Sequence, residues 1–169
     1  EAGRVAPGQV YVLVIPRIPE PEGYLKVEQL ELNPNNVSEL TAFLDERRLL
    51  TTRLDIRPPA YHWAACHVQL RAAPGVPQAD VEAEALGRLY RYLNPLTGGP
   101  DGKGWPFGRP LFVSDVYQCL QGMPNVQFVR GVRLFSARPG GPAQGDPVES
   151  IDVIAHGVVA SGVHSIEFV

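Results

Sequence analysis

Hydrophobic and polar positions along this chain follow two periods, and proline and glycine mark where one gives way to the other. The run QVYVLVIP, Gln9 to Pro16, is β-rich and apolar and predicts a buried strand ended by proline. RIPEPEGYLKVEQLELNPNN follows, with prolines at 19, 21 and 34. It reads as a long irregular connection with one extended piece around Tyr24 to Leu32. NVSELTAFLDERRLL then has helical spacing, with Val37, Leu40, Phe43 and Leu44 on one apolar stripe. Asn36 as N-cap and Glu39 three residues on fit a capping box, and Arg47 and Arg48 suit the C-terminal end of the helix dipole. The tetrad Asp45, Glu46, Arg47, Arg48 reads as a solvated face. TTRLDIR predicts a second strand, stopped by Pro58-Pro59.

AYHWAACHVQLRAA, Ala60 to Ala73, predicts a long strand. Tyr61, Trp63, Ala65 and His67 fall on one face, and His62, Ala64, Cys66, Val68 and Leu70 on the other. PGVPQADVEAEALGRLYRYL predicts a strong helix with Val81, Ala85, Leu89 and Leu93 along one side. VSDVYQCLQGMP predicts a short helix capped by Ser114 and stopped by Gly122, with Val116, Cys119 and Leu120 as its apolar face. NVQFVRGVRLFSA predicts a strand with a bulge at Gly131. RPGGPAQGDPVE reads as a loop, and SIDVIAH, VVASG and HSIEFV read as short strands. The order implies an α+β fold: two small strand-helix-strand modules, helices packed on mainly antiparallel sheets, and a C-terminal β tail. The first module spans 1–58 with the proline-rich insertion. The second spans 59–169 and carries a Gly/Pro/Trp turn and the C-terminal strands.

That turn lies in NPLTGGPDGKGWPFGRP, Asn94 to Pro110. A glycine-rich stretch with a lysine invites comparison with a phosphate-binding loop, which needs G-x-x-x-x-G-K-[ST] between a strand and a helix. Here Thr97 stands where Gly102-Lys103 would require glycine, Gly104 stands where a magnesium-binding hydroxyl belongs, and the stretch follows a helix. Rigid architecture explains more. Pro95 ends the helix, Gly98-Gly99 and Asp101-Gly102 permit turns, and Trp105 and Phe107 flank Pro106 as apolar anchors on a stiff backbone. With Gly104 and Gly108, these residues form a structural turn expected to lock two helices together through Trp105 and Phe107, and a candidate contact with another subunit.

Composition narrows the chemistry. The chain has 169 residues, 44% of them hydrophobic, and a net charge of −3, with no basic stripe and no apolar run long enough to span a bilayer, so neither nucleic acid nor membrane is an expected partner. The N-terminus EAGRVAPGQV lacks an initiator Met and a signal-like segment, and reads as the edge of a larger polypeptide. Cys66 and Cys119 are expected to be free thiols, although spacing alone leaves a disulfide open. His62 and Cys66 sit roughly 13 Å apart along one strand face, His67 points the other way, and His156 and His164 complete no metal-ligand spacing. Glu82 and Glu84 diverge on their helix, Glu20 and Glu22 lie in the proline-rich connection, and Ser161 lacks a nucleophile elbow. No catalytic, cofactor or metal site is therefore expected, and no small-molecule substrate. Two rival readings are a hydrolase pairing Cys66 or Cys119 with a histidine, and a carbohydrate- or peptide-binding module using Tyr61, Trp63 and Tyr90.

LYRYLNPLTGGPDGKGWPFGRPLFVSDVYQCLQGMPNVQFVRGVRL resembles the C-terminal part of the baseplate J-like proteins of contractile phage tails and phage-tail-like contractile injection systems. The shared pieces are Leu89 to Leu93, Pro95 to Gly99, the Gly104-Trp105-Pro106-Phe107-Gly108 turn, Ser114 to Leu120, and Val126 to Val132. PGQVYVLVIP, LTAFLDERRLLTTRLDIRPPAY, VQLRAAPG and GVVASGVHSIEFV resemble the flanking parts of the same family, so the likeness covers nearly the whole chain. It implies a C-terminal fragment of a longer, non-enzymatic baseplate wedge protein. Such a protein needs no cofactor, joins other wedge subunits and itself around the spike and hub, and is assembled in the bacterial cytoplasm as part of the particle.

Overall fold

The computed structural model describes residues 8–17 and 24–169. Glu20, Glu22, the first seven residues and the prolines at 19 and 21 lie outside them. The expected α+β fold is present, organised around one long strand.

That strand, β3 (Ala60–Ala72), follows β1 (Gln9–Leu13), α1 (Pro34–Asp45) and β2 (Arg53–Arg57). After it come α2 (Gln78–Tyr92), β4 (Leu111–Phe112), α3 (Val113–Leu120), β5 (Val126–Ala137), β6 (Ala143–Val148), β7 (Ser150–Ile151), β8 (Gly157–Ser161) and β9 (Ser165–Phe168). The main sheet runs β6-β5-β3-β8, with β9 also on β3. Its pairing is mixed: β5 is antiparallel to β3 and β6, while β8 and β9 run parallel to β3 along its other edge. The β3–β5 register shifts between Gln69 and Leu70, where Gly131 and Val129 oppose them, so the bulge sits beside Gly131 as expected.

Alternation in β3 sorts its side chains into two cores. Ala64, Cys66, Val68 and Leu70 face α2 and α3, where they bury Val81, Ala85, Leu89, Val116 and Leu120. Trp63 faces the other way and packs with Ala160, Leu25 and Leu30. Leu30 ends a single 3-10 turn, Val27–Leu30, in the piece expected to be extended. Lys26 N–H donates to the Gln29 side chain at 2.9 Å and closes the turn, a local bond that outcompetes extended backbone.

Several boundaries depart from the expectations. Helix α1 starts at Pro34, not after Asn36: proline fits the first helical position, and Asn33 caps it by accepting the Asn35 N–H at 2.9 Å. Ser114 does not cap α3. The helix begins at Val113, and Asp115 reaches back to accept the Phe112 N–H at 2.9 Å. RPGGPAQGDPVE is not all loop, because Ala143–Val148 pairs with β5 as an edge strand. An edge tolerates Pro147 and the positive φ of Gly145, which would disqualify an inner strand. SIDVIAH contributes only Ser150–Ile151 to a sheet, pairing with β4.

The unit β1-α1-β2 has the expected strand-helix-strand order, its strands pairing in parallel from Gln9↔Arg53 to Leu13↔Arg57. It is not the buried unit its sequence suggests. No residue of β1, α1 or β2 is fully buried, and Phe43, expected on the packed stripe, is exposed. Two strands and one helix enclose too little volume to bury a side chain on all sides.

Leu30 holds the short 3-10 turn onto the back of the main sheet. Leu30→Ala should lower the unfolding free energy by about 2–4 kcal/mol, measured by denaturant titration.

Candidate functional site

The Asn94–Pro110 loop folds on its own backbone. Leu93 caps α2, and buried Asn94 next to it accepts the N–H groups of Leu96 and Thr97 at 2.8 and 3.1 Å. The N–H groups of Gly98, Gly99, Gly104 and Trp105 donate to the carbonyls of Asn94, Tyr92, Gly98 and Pro95 at 2.7–3.2 Å. The N–H of Gly102 donates to Gly99 O. These amides turn inward, so none is presented as a phosphate cradle would require. The path is so tight that a Cβ at Gly98 would lie 2.2 Å from Tyr92 O and 2.5 Å from Arg91 O. At Gly104, with φ +101°, it would lie 2.7 Å from Pro95 O.

Trp105 is 3% exposed. Its ring meets Tyr92 of α2 edge-on, with centroids 5.8 Å apart, and its Nε1–H donates to Arg109 O at 2.9 Å. The Arg109 guanidinium stands 5.0 Å from the same ring and donates to the buried Asp115 of α3 at 2.7 Å. Trp105 therefore joins α2 to the start of α3. Phe107 does not share that role. It is 49% exposed, while the neighbouring Gly108 N–H donates to Gly157 O at 3.0 Å and pins the loop to the start of β8. Pro106 fixes the chain between the buried indole and the exposed ring, so Phe107 is held outward on a rigid mount. Ile154, in the adjoining turn, is exposed as well.

An open groove of about 520 Å³ borders the loop, lined by Glu84, Arg88 and Arg91 of α2, by Gly99 and Gly102, and by Cys119. Its charged groups are α2 side chains, with Arg88 paired to Glu84 at 3.2 Å.

The histidines and cysteines are engaged elsewhere. Strands β8 and β9 form one interrupted strand along β3, and His164 turns inward at the break. Its Nδ1 accepts the Cys66 N–H at 3.0 Å. Nδ1 is thus the unprotonated nitrogen, and Nε2–H donates to Ser161 Oγ at 2.8 Å. Ser161 in turn donates to Gly162 O at 3.0 Å. The serine is an acceptor from the imidazole, so this pair is wired against nucleophilic activation. Burial lowers the His164 pKa to about 3 and raises the Cys66 thiol to about 12. Cys119, also raised by burial, to about 11, donates through its thiol to Arg88 O. Both cysteines are free. Burial thus moves both thiols away from the thiolate form that the hydrolase reading needs.

The aromatics of the rival binding reading are spent in packing. Trp63 is buried against Tyr61, and Tyr90 stacks between His164 and Tyr24 with centroids 4.9 and 6.0 Å away. His62 lies against Gly157, where a Cβ would come within 2.8 Å of its ring. One cluster went unread in the sequence. On the outer face of the sheet, His67 bonds Ser165 Oγ and Glu167 Oε2, both at 2.9 Å, and Gln69 donates to the same Glu167 oxygen at 2.8 Å. These bonds hold Glu167 below the usual carboxylate range. Parity was the available signal, since Ser165 and Glu167 share a face, but the β3–β9 pairing that brings them to His67 spans 98 residues. Among the described residues no group of three or more His, Cys, Asp or Glu is placed to hold a metal ion, and no helix is long and apolar enough to cross a membrane.

Trp105→Ala empties a packed site between two helices and should cost about 3–5 kcal/mol, read from chemical denaturation. The folded state keeps His164 neutral while the unfolded chain protonates it near 6.5. Stability should therefore be full above that pH and fall by about 1.4 kcal/mol per unit as pH drops toward 3. His164→Asn should flatten that slope in melts recorded from pH 7 to pH 4.

No family model matches the chain, and no curated protein matches it. Among solved structures it is similar to a chain in the cryo-EM structure of the anti-feeding prophage (AFP) baseplate, 6-fold symmetrised. The match has 19% identity and a TM-score of 0.49, over 78% of this chain and 26% of that one. This chain thus spans about a quarter of that baseplate chain's length.

Proposed function

We propose that the chain is a structural part of a baseplate wedge in a contractile phage tail or a phage-tail-like injection machine, acting through contacts with neighbouring wedge subunits. The observation that carries the reading is the division of labour in the Gly104–Gly108 turn. Trp105 is buried as the fastener of two helices, while Phe107, two residues on, is exposed on a turn tied down by the N–H groups of Trp105, Gly108 and Arg109. An exposed apolar side chain on a rigid turn suits an anchor for another protein surface, because it loses little conformational freedom on docking. The same turn carries the sequence likeness to the baseplate J-like proteins. No catalytic step and no cofactor belongs to this reading, and assembly takes place in the bacterial cytoplasm.

The test is co-expression with candidate neighbouring wedge proteins, followed by light scattering of the mixed complex. Phe107→Ala should leave the melting temperature unchanged and weaken the complex at least tenfold, as loss of a docked aromatic does. A complex of wild-type strength would overturn the role given to Phe107.

A further inference from the structure

We infer that Ser165 is a nucleophilic serine that takes an acyl group from an activated ester, with His67 as its general base and Glu167 as the residue that positions the base. The site lies on the outer face of the main sheet and is independent of the assembly reading.

The direction of the hydrogen bonds carries the inference. The Glu167 carboxylate can only accept, so a neutral His67 holds its proton on Nε2 and donates it to Glu167 Oε2 at 2.9 Å. Nδ1 keeps its lone pair and accepts the Ser165 hydroxyl proton at 2.9 Å. The chain therefore runs from hydroxyl to imidazole to carboxylate, the direction that activates a serine. Ser161 and His164 are the counterexample within the same molecule. There the imidazole donates to the serine, the serine donates to Gly162 O, and both residues are buried. Ser165 is exposed.

Strand register builds the cluster. Ser165 is the β9 partner of His67, and Glu167 is the partner of Gln69, so all four side chains share one face. Gln69 donates to the Glu167 oxygen that His67 uses, at 2.8 Å, and holds it in place. Arg133 is the β5 partner of His67 and opposes a positive charge on the ring. The carboxylate, bonded to the ring itself, offsets it. A donor for the developing oxyanion comes next in the chain. Val169 N–H donates to Leu70 O, so the odd residues of β9 turn their amides toward β3 and Ile166 turns its amide away. Among the described residues no strand lies beyond β9, which leaves the Ile166 N–H open beside the nucleophile.

In the step, Ser165 Oγ bonds to the carbonyl carbon of the ester as its proton passes to His67 Nδ1. The bond to the alcohol oxygen then breaks, and the alcohol leaves with the proton from the imidazolium. An acyl-serine and a neutral ring remain.

The probe is a fluorophosphonate, whose phosphorus stands in for the acyl carbon and whose fluoride leaves in place of the alcohol. Its adduct does not turn over, so labelled residues can be mapped by peptide mass spectrometry. Ser165 should be labelled at least about tenfold faster than Ser38, an exposed serine whose hydroxyl donates to Pro34 O. Glu167→Gln keeps an acceptor for Nε2–H and removes only the charge. It should melt like wild type and slow the labelling of Ser165 about tenfold. His67→Gln should bring Ser165 down to the rate of Ser38. A wild-type Ser165 labelled no faster than Ser38 would overturn the inference. So would a wild-type labelling rate in Glu167→Gln or His67→Gln, which would leave the cluster as a polar ladder that only joins two strands. Phe107→Ala should leave the labelling unchanged, so this site and the Phe107 contact are read separately.

Discussion

The main sheet depends on how one backbone amide is satisfied. Strand β3 is paired along both edges, and at Cys66 the parallel neighbour is missing because β8 has ended and β9 has not begun. A buried amide left there without a partner would cost on the order of 1–3 kcal/mol. The imidazole of His164 takes the place of the absent strand and accepts that N–H. Its second nitrogen is satisfied by Ser161, and Ser161 by a carbonyl. The break can therefore exist without an orphaned donor. It lets the strand take in one extra residue between β8 and β9 and resume its parallel pairing on β3.

The same economy governs the loop between α2 and α3. Glycine-rich segments bind anions when their amides converge on open space. Here Gly98 and Gly104 let the backbone come so close that its amides find carbonyls first. Composition alone does not separate these outcomes; the order of elements does. After a helix, with Pro95 forcing the exit and Trp105 supplying the weight, the stretch collapses on itself. Arg109 and Asp115 carry the effect into α3, so the start of that helix is set by a residue six positions upstream.

What could be read from the residues alone follows from where each signal originates. The alternation in Ala60–Ala72 and the stripe of Val81, Ala85 and Leu89 record each element's own burial, and both were legible. The buried fastener Trp105 was legible from its position between glycines, but Phe107 was given the same role because neighbouring aromatics on a stiff turn look alike. One faces in and one faces out only once Gly108 is tied to Gly157. Pro34 moved the start of α1 because proline is as good a first helical residue as it is a breaker. Strand β6 was hidden by Gly145 and Pro147, whose cost depends on whether a strand is inner or edge. The Ser161–His164–Cys66 chain and the His67–Ser165–Glu167 cluster were out of reach, since both are made by pairing β3 with strands nearly a hundred residues later.

That separation also sets a timetable. The donors of β3 that face β8 and β9, and the His67 side chain, have no partners until the segment around Ser165 has been made. At ribosomal speeds of about 5–20 residues per second, 98 residues take roughly 5–20 s. Helices α2 and α3 can form and begin to cover one side of the sheet in that time, because their contacts are local. The other edge stays open, a template for incorrect pairing, until β8 and β9 arrive. A copy halted before β9 would carry an unfinished sheet, with β3 unpaired from His67 to Leu70 along that edge.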